Sequence, residues 1–345
     1  MKWSKKTLYN FFFLCGVVAV VVMLFTCDVS FVQLWGHLCK AGYWLIPILG
    51  LWIPIYLINA IAWRCIIKGN TDENERVSFW NIFKYTISGY ALNYATPMGG
   101  FGGEPYRIMR LSENMSNQHA SSSVILYSMM HLLAHFLLWF SSLFLYFALA
   151  MMGFVPFNVW IGSSLLLIAL FCMLAFYIFY KGYKNGFVVR VIRWIGKIPG
   201  LKSWTNRFLE RHTKTLSEID EQIVALHKQD KRTFYTSLAL EYIARFIQSF
   251  EIMFMLILFE VNFGGGISGY FLTFFNSVLI LSCTTFFANL IGFLPMQLGV
   301  QEGGFVISIT LLGLSPAVGM FISIICRVRE IIWIFIGIIL MKIDR

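Results

Sequence analysis

Acidic and basic residues lie inside several long apolar runs, where an ionisable side chain is costly unless it faces a cavity or an opposite charge. Glu104 and Arg107 are three residues apart after a glycine-rich stretch, and Glu241 and Arg245 are four apart in another apolar run. Each spacing places its pair on one face of a helix. Arginines held away from water predict a site for an anionic group such as a phosphate. Further charges follow later in the chain: Glu251, Glu302, Arg327, Arg329 and Glu330.

Glycines precede the first of these pairs and have two possible uses. A helix that begins after Gly103 presents backbone N–H groups and the positive end of its dipole, which together favour an anion. Tight packing of small residues against a neighbouring membrane helix is the alternative interpretation. The glycines in question are Gly99, Gly100, Gly102 and Gly103.

Other residues that could do chemistry form weaker patterns. His131 and His135 are four apart on one helical face, but no third ligand is apparent, so a packed or hydrogen-bonded pair is favoured over a metal site. The seven cysteines are scattered and without CxxC spacing, which is typical of small buried hydrophobic residues. We find no Ser-His-Asp arrangement and no nucleotide-binding loop, and expect neither cofactor nor metal.

The composition indicates the elements that position these residues. Hydrophobic residues make up 58% of the 345 and charged residues 13%, whereas a soluble domain has about 25% charged residues. The sequence therefore predicts an all-α polytopic membrane protein, with residues 1–345 as one integral membrane domain. The net charge of +10 mostly flanks apolar runs, which favours a role in membrane orientation over nucleic-acid binding.

About six apolar runs are long enough to cross the hydrocarbon layer, which takes about 20 residues of helix. The N-terminal run is predicted to be a retained helix, because no small-x-small cleavage site follows it. Two more stretches, 79–96 and 268–294, are interrupted by proline and glycines. The six predicted spans are 8–26, 41–63, 118–152, 157–180, 233–260 and 316–341.

Basic residues set the predicted orientation, since Lys and Arg accumulate on the cytoplasmic side. The N-terminus, the C-terminus and the segments 64–84 and 181–232 are basic, so all can be cytoplasmic only if the two interrupted stretches return to the side they enter from. We therefore predict re-entrant helical hairpins at 79–111 and 268–314, one from each face. In the alternative, both stretches cross the membrane completely. The charges of the later loops then disagree with the cytoplasmic preference of Lys and Arg.

The two hairpin tips share a spacing that suggests an inverted-topology repeat, in which half-helices meet near the midplane. Pro97 and Glu104 are seven positions apart, as are Pro295 and Glu302, with Gly299 inside the second interval. The first half is then 1–180 and the second 233–345. The linker between them has twelve basic and five acidic residues and a basic amphipathic pattern, which favours a cytoplasmic loop on the membrane surface over a regulatory domain.

The first tip reads Pro97-Met-Gly-Gly-Phe-Gly-Gly-Glu-Pro-Tyr-Arg107, and the second runs from Pro295 to Glu302 with Arg327 further on. With these motifs, nearly the whole chain resembles the lysylphosphatidylglycerol synthase transmembrane-region family of flippase-like proteins. Gln297 stands where that family usually has glycine. The resemblance implies a multi-pass protein of the bacterial or archaeal cytoplasmic membrane, and it marks Glu104, Arg107, Glu302 and Arg327 as site residues.

The resemblance also implies transfer of an anionic, aminoacylated or glycosylated lipid between leaflets. Fused members carry a soluble domain that aminoacylates phosphatidylglycerol; this chain ends at Arg345, so we expect no synthase activity. The predicted headgroup site comprises Gly99, Gly100, Gly102, Gly103, Glu104, Arg107, Arg245, Glu302 and Arg327, supported by Glu241, Pro97, Pro295 and Gly299.

Two other functions stay open at this point. One is an intramembrane headgroup transferase with Glu104 or Glu302 as general base. The other is a non-catalytic membrane partner of a lipid synthase. Candidate partners are membrane phospholipids, a separate lipid-modifying synthase and a second copy of the chain; no nucleic acid is expected.

Overall fold

The computed structural model describes residues 42–69, 77–95, 102–185, 188–197, 205–210, 231–261, 263–290 and 299–343, with Gln297 and short stretches between 214 and 224. No β-strand occurs in these ranges. The predicted first span 8–26 lies outside the described residues, as do Pro97, Gly99, Gly100 and Pro295.

Eleven α-helices are bounded within the described ranges. They are α1 (Leu45–Gly50), α2 (Trp52–Gly69), α3 (Phe79–Ala95), α4 (Glu104–Leu111), α5 (Asn117–Met151), α6 (Val159–Asn185), α7 (Val188–Ile195), α8 (Lys231–Leu258), α9 (Gly266–Leu290), α10 (Val300–Leu311) and α11 (Pro316–Ile343).

Four helical segments in the described ranges are long and apolar enough to cross a membrane. They make the chain a multi-pass membrane protein. Helices α8 and α11 have 28 residues each, or about 42 Å at 1.5 Å per residue, but both carry several charges. The total of six spans therefore stays a prediction. The four segments are Gly42–Lys68, Asn117–Met151, Val159–Lys181 and Gly266–Leu290.

The order of helix lengths occurs twice. A long helix, the first arm of a predicted hairpin, its short second arm and another long helix follow one another in α2 to α5 and again in α8 to α11. The contacts between the two sets of helices also match. The first helices of the two sets, α2 and α8, pack on each other, and the contact of α3 with α11 corresponds to the contact of α9 with α5. Such matched contacts are expected of two related halves.

Each of the two predicted hairpins contains one short helix. Helix α4 has 8 residues and α10 has 12, so they reach only about 12 and 18 Å. Neither can cross a layer about 30 Å thick. The re-entrant path of both hairpins and their entry from opposite faces stay predictions, because α9, the first arm of the second hairpin, is itself long enough to cross the membrane.

Glycines determine how closely α4 approaches α3. A Cβ on Gly103 would overlap the carbonyl oxygen of Gly89, so the two backbones are in direct contact. The Gly103 N–H donates to the Asn93 side-chain oxygen, and Pro105 occupies an early position of α4, where its missing N–H is tolerated. The helix therefore begins at Glu104, the residue at which the sequence placed it.

The start of α10 has a different construction. Gly299 has φ +79°, a left-handed conformation that favours glycine. Its N–H donates to the Glu302 carboxylate at 2.8 Å, which caps the helix. Gln297 is also left-handed at φ +52°, which explains why the resemblance leads one to expect glycine there.

The linker is described in part. Helix α7 lies within the predicted amphipathic segment, and Arg190, Arg193 and Trp194 on it are exposed. The Val189 N–H donates to Asp220 at 3.1 Å, which ties this helix to the later part of the linker.

Candidate functional site

Five charged or titratable residues from α4, α5 and α8 form what we term the first charge cluster: Glu104, Arg107, His131, Glu241 and Arg245. Arg107 Nη1 lies 3.2 Å from Glu104 Oε1, which confirms that the two share a face of α4. Ser128 of α5 also donates to this carboxylate oxygen, at 3.1 Å. The second oxygen, Glu104 Oε2, is buried and has no hydrogen-bond partner.

The Arg107 guanidinium lies among three aromatic rings. Its central carbon is 4.8 Å from the ring centroid of Tyr90, 5.5 Å from Tyr127 and 5.6 Å from Trp63. These are distances at which a cation is attracted to a π face. Gly89 makes room for it, since a Cβ there would overlap the guanidinium. The Nε–H of Arg107 has no hydrogen-bond partner, so one donor in this cage is unused.

Glu241 was predicted to pair with Arg245 along α8, but its closer partner comes from α5. The distance from Glu241 Oε2 to His131 Nδ1 is 2.7 Å, against 3.9 Å to Arg245 Nη2. The Glu241 side chain is fully buried, and its Oε1 has no hydrogen-bond partner. Arg245 donates from Nη1 to Gln248 at 2.9 Å, while its Nε–H is unpartnered.

Tyr90 contacts both the His131–Glu241 pair and Arg107 of the first charge cluster through its hydroxyl and its ring. The hydroxyl lies 3.0 Å from His131 Nδ1 and 3.1 Å from the Tyr127 hydroxyl, while the Tyr90 ring contacts Arg107. His131 also packs edge-on against His135, with ring centroids 5.3 Å apart. The histidines are thus a packed pair with one hydrogen-bonded member.

A second charge cluster comprises Glu251, Glu302, Arg327, Arg329 and Glu330, from α8, α10 and α11. Arg327 donates from Nε to Glu302 at 2.7 Å and from Nη1 to Glu330 at 2.9 Å. Its Nη2 donates to the Gln297 carbonyl at 3.3 Å. The two residues that the family resemblance marks in this half, Glu302 and Arg327, are therefore brought into direct contact.

The remaining carboxylates of the second charge cluster are equally well bonded. Arg329 donates to Glu251 at 2.8 Å and stacks on Trp52, whose indole N–H donates to the other Glu251 oxygen at 3.1 Å. Gln301 donates to Glu330 at 3.0 Å. Glu251 had no basic neighbour along its own helix; α11 supplies one.

In the described part of the glycine-rich tip, Gly103 is engaged in packing and hydrogen bonding rather than left open for an anion. Gly103 is used for packing on Gly89, its N–H is bonded to Asn93, and Pro105 has no N–H to offer. The Glu104 carboxylate itself lies at this positive helix end. Gly102 is buried beside it. The cationic donor in the described part of this tip is the Arg107 side chain.

Several members of the site were not identified from the sequence. Ser128 and Arg327 both lie 11 residues after the first residue of a long helix, α5 and α11 respectively. Ser128 donates to Glu104 of the first tip, and Arg327 donates to Glu302 of the second. Aligning the two tips would have found Ser128. Gly89, Tyr90 and Tyr127 carry no comparable signal, because glycines and tyrosines are common in membrane helices.

An apolar cavity of about 490 Å³ lies between α5, α6, α9 and α10. Its lining includes Trp139, Ser142, Ser282 and Phe286. The Ser142 and Ser282 hydroxyls are bonded to one another, so they do not need a polar ligand. We term this space the lateral cavity.

Comparison with known families decides the class of protein. Residues 12–338 match the family described as lysylphosphatidylglycerol synthase TM region. The chain belongs to this family. No curated protein and no solved structure matches it.

Membership in the lysylphosphatidylglycerol synthase TM region family makes this a multi-pass membrane protein of a lipid-handling family. The match includes both predicted hairpins and both charge clusters. Among the described residues, no group of three or more His, Cys, Asp and Glu side chains is arranged to hold a metal ion.

Proposed function

We propose that this protein moves an anionic phospholipid, or a lipid carrier modified with an amino acid or a sugar, between the two membrane leaflets. The observation that carries the proposal is the first charge cluster. There, buried donors and acceptors lie together without partners of their own.

Unpartnered polar atoms at this depth call for a ligand. A buried donor or acceptor without a partner costs about 1–3 kcal/mol, and more if it is charged. The first charge cluster has two unpartnered arginine N–H groups and two unpartnered carboxylate oxygens. A phosphate can accept from the arginines, and a hydroxyl or ammonium group of the same headgroup can donate to the carboxylates.

The position of the first charge cluster along α5 fits a headgroup that has left the membrane surface. His131 is 14 residues beyond Asn117, the first residue of α5, or about 21 Å along the helix axis. A protein that only holds a headgroup at the surface has no need for charged groups at this distance from the helix end.

The lateral cavity supplies an apolar space close to the charged groups. His131, His135 and Trp139 follow one another by one turn along α5, with ring centroids 5.3 and 5.9 Å apart. Trp139 lines the cavity. A lipid with its headgroup at the first charge cluster could place an acyl chain there. Rocking of one half against the other would then expose the site to each leaflet in turn.

Leaflet exchange in proteoliposomes tests the proposal. Purified protein is reconstituted with fluorescent phosphatidylglycerol or phosphatidylcholine, and dithionite quenches the label in the outer leaflet only. We expect protein-dependent exchange of the anionic lipid that Arg107→Ala reduces at least tenfold. Arg110→Ala, which removes an arginine outside the cluster from the same helix, serves as the matched control. Full exchange by Arg107→Ala would reject the site.

The same protein in detergent tests headgroup transfer, because micelles have no leaflets. Radiolabelled lipid and a pool of aminoacyl and glycosyl donors are supplied, and products are separated by thin-layer chromatography. Product formation in detergent, together with no lipid exchange in vesicles, would reject the transporter function and support the transferase function.

A further inference from the structure

His131 and Glu241 differ sharply in access to their surroundings although they share a hydrogen bond. The His131 side chain is 24% exposed, whereas Glu241 is fully buried. The imidazole therefore has accessible surface that the carboxylate bonded to it lacks. Histidine is the side chain that ordinarily changes charge near neutral pH.

The groups around this pair come from each helix packed there. Helix α3 contributes Tyr90, whose hydroxyl accepts from Asn59 of α2 at 3.3 Å. The remaining titratable or charged neighbours are Glu104 and Arg107 of α4, Tyr127 and His135 of α5, and Arg245 of α8.

Charge balance changes when an anion arrives. With His131 neutral, Glu104 and Glu241 offset Arg107 and Arg245, so the first charge cluster has no net charge. A phosphodiester adds one negative charge in a poorly solvated place, where uncompensated charge is expensive. One proton on His131 restores neutrality.

We propose that His131 and Glu241 form a proton-binding site, and that one proton is taken up with each anionic lipid headgroup. This inference rests on the proposed function. Both contacts of the ring with hydrogen-bonding groups involve Nδ1. In the neutral ring, Nδ1–H donates to Glu241, and the added proton goes to Nε2. Hydronium or a buffer acid in solution gives up this proton and becomes its conjugate base, and no other covalent bond is made or broken.

Thermodynamic linkage gives the expected pH dependence. If an anion favours protonation of the pair, protonation favours the anion by the same factor. Affinity for an anionic lipid therefore falls as pH rises, and affinity for a zwitterionic lipid changes much less. A proton bound at the pair would couple transport to a proton gradient.

Isothermal titration calorimetry tests the proposal without relying on transport. Dioctanoyl phosphatidylglycerol is titrated into detergent-solubilised protein at pH 7.5, in two buffers with different ionisation enthalpies. We expect uptake approaching about one proton per lipid bound in the wild type. His131→Gln should show almost none. His119→Gln, which changes a histidine of α5 outside the cluster, should retain wild-type uptake.

Glu241→Gln supplies a second and less intuitive test. Removing this negative charge leaves the cluster with one surplus positive charge, so the anion needs no proton. We expect proton uptake to disappear and affinity at pH 8 to rise about tenfold above that of the wild type, with binding nearly independent of pH. A thermal unfolding curve in detergent confirms that each variant is folded.

The outcomes separate this inference from the proposed function. Binding by the wild type without proton uptake, or uptake that persists in both variants, overturns the proton site alone. Proton-linked binding without leaflet exchange overturns the proposed function alone. No binding of the anionic lipid at any pH overturns both.

Discussion

The two charge clusters contain similar residues but are completed in different ways. In the second charge cluster, each oxygen of Glu251, Glu302 and Glu330 accepts from an arginine, an amide or an indole. In the first, a carboxylate oxygen of Glu104 and one of Glu241 are unpartnered. A buried cluster with its hydrogen bonds made holds helices together, whereas unpartnered buried atoms leave positions that water, an ion or a ligand can fill.

This contrast divides residues that the sequence grouped together. Arg107, Arg245 and Arg327 were predicted to hold one phosphate between them. Arg327 is fully occupied in joining α10 to α11, so we assign it to the architecture of the second tip. In the proposed function, the first charge cluster provides the headgroup site, and its arginines are the ones whose loss should affect transport more than stability.

The largest effect on stability is expected from Arg329→Ala. It leaves Glu251 buried beside Trp52 without its main partner, and breaking a buried pair in this way costs about 3–5 kcal/mol. The measurement is the unfolding midpoint in detergent. The double variant Glu251→Leu with Arg329→Met should recover most of the loss, because no charge is left unpaired. An undisturbed midpoint in Arg329→Ala would show that the second charge cluster is not structural.

Arg107→Lys should reduce leaflet exchange about tenfold while changing the unfolding midpoint little. Lysine retains the charge but has no planar guanidinium to lie among Trp63, Tyr90 and Tyr127. Exchange is measured in proteoliposomes, and Arg110→Lys provides the control on the same helix. A loss of stability equal to that of Arg329→Ala would contradict the distinction between the clusters.

Gly103→Ala should destabilise the protein by about 1–3 kcal/mol, since the added methyl group overlaps the Gly89 carbonyl and forces α4 away from α3. Gly303→Ala is the matched control in α10, where a Cβ meets no atom within 4 Å. The control should be neutral or slightly stabilising, because alanine favours helix more than glycine does. Unfolding midpoints of the two variants test this directly.

Filling the lateral cavity should slow exchange several-fold without affecting headgroup binding. Cys283→Trp places a large apolar side chain in a space lined by Trp139 and Phe286. Calorimetry with the short-chain lipid and exchange of a long-chain lipid separate the two properties. Phe147→Trp, at an exposed position on α5, is the control. Equal exchange by the two variants would remove the cavity from the transport path.

The smallest effect is expected from Gln297→Gly. Its left-handed backbone costs a non-glycine residue about 1 kcal/mol, and Arg327 contacts the Gln297 carbonyl rather than its side chain. Glycine should therefore raise the unfolding midpoint slightly and leave exchange unchanged. A decrease in stability would indicate that the Gln297 side chain is needed.

Local patterns were sufficient for several of the long helices and for part of the site. Apolar runs located α5, α6, α8 and α11 to within a few residues, because crossing a membrane requires a minimum length of apolar helix. The three-residue spacing of Glu104 and Arg107 predicted their contact, because residues three apart share a helix face. The start of α4 followed from glycines and proline next to each other in the chain.

Contacts between distant segments were decided by the tertiary structure alone. His131 and Glu241 are 110 positions apart, and Glu251 and Arg329 are 78 apart; no periodicity links such positions. Which buried charges are satisfied and which are left for a ligand depends on how α4, α5, α8 and α11 pack together. The sequence by itself determined that charges must lie within the membrane helices, but only packing in three dimensions decides which of them are paired.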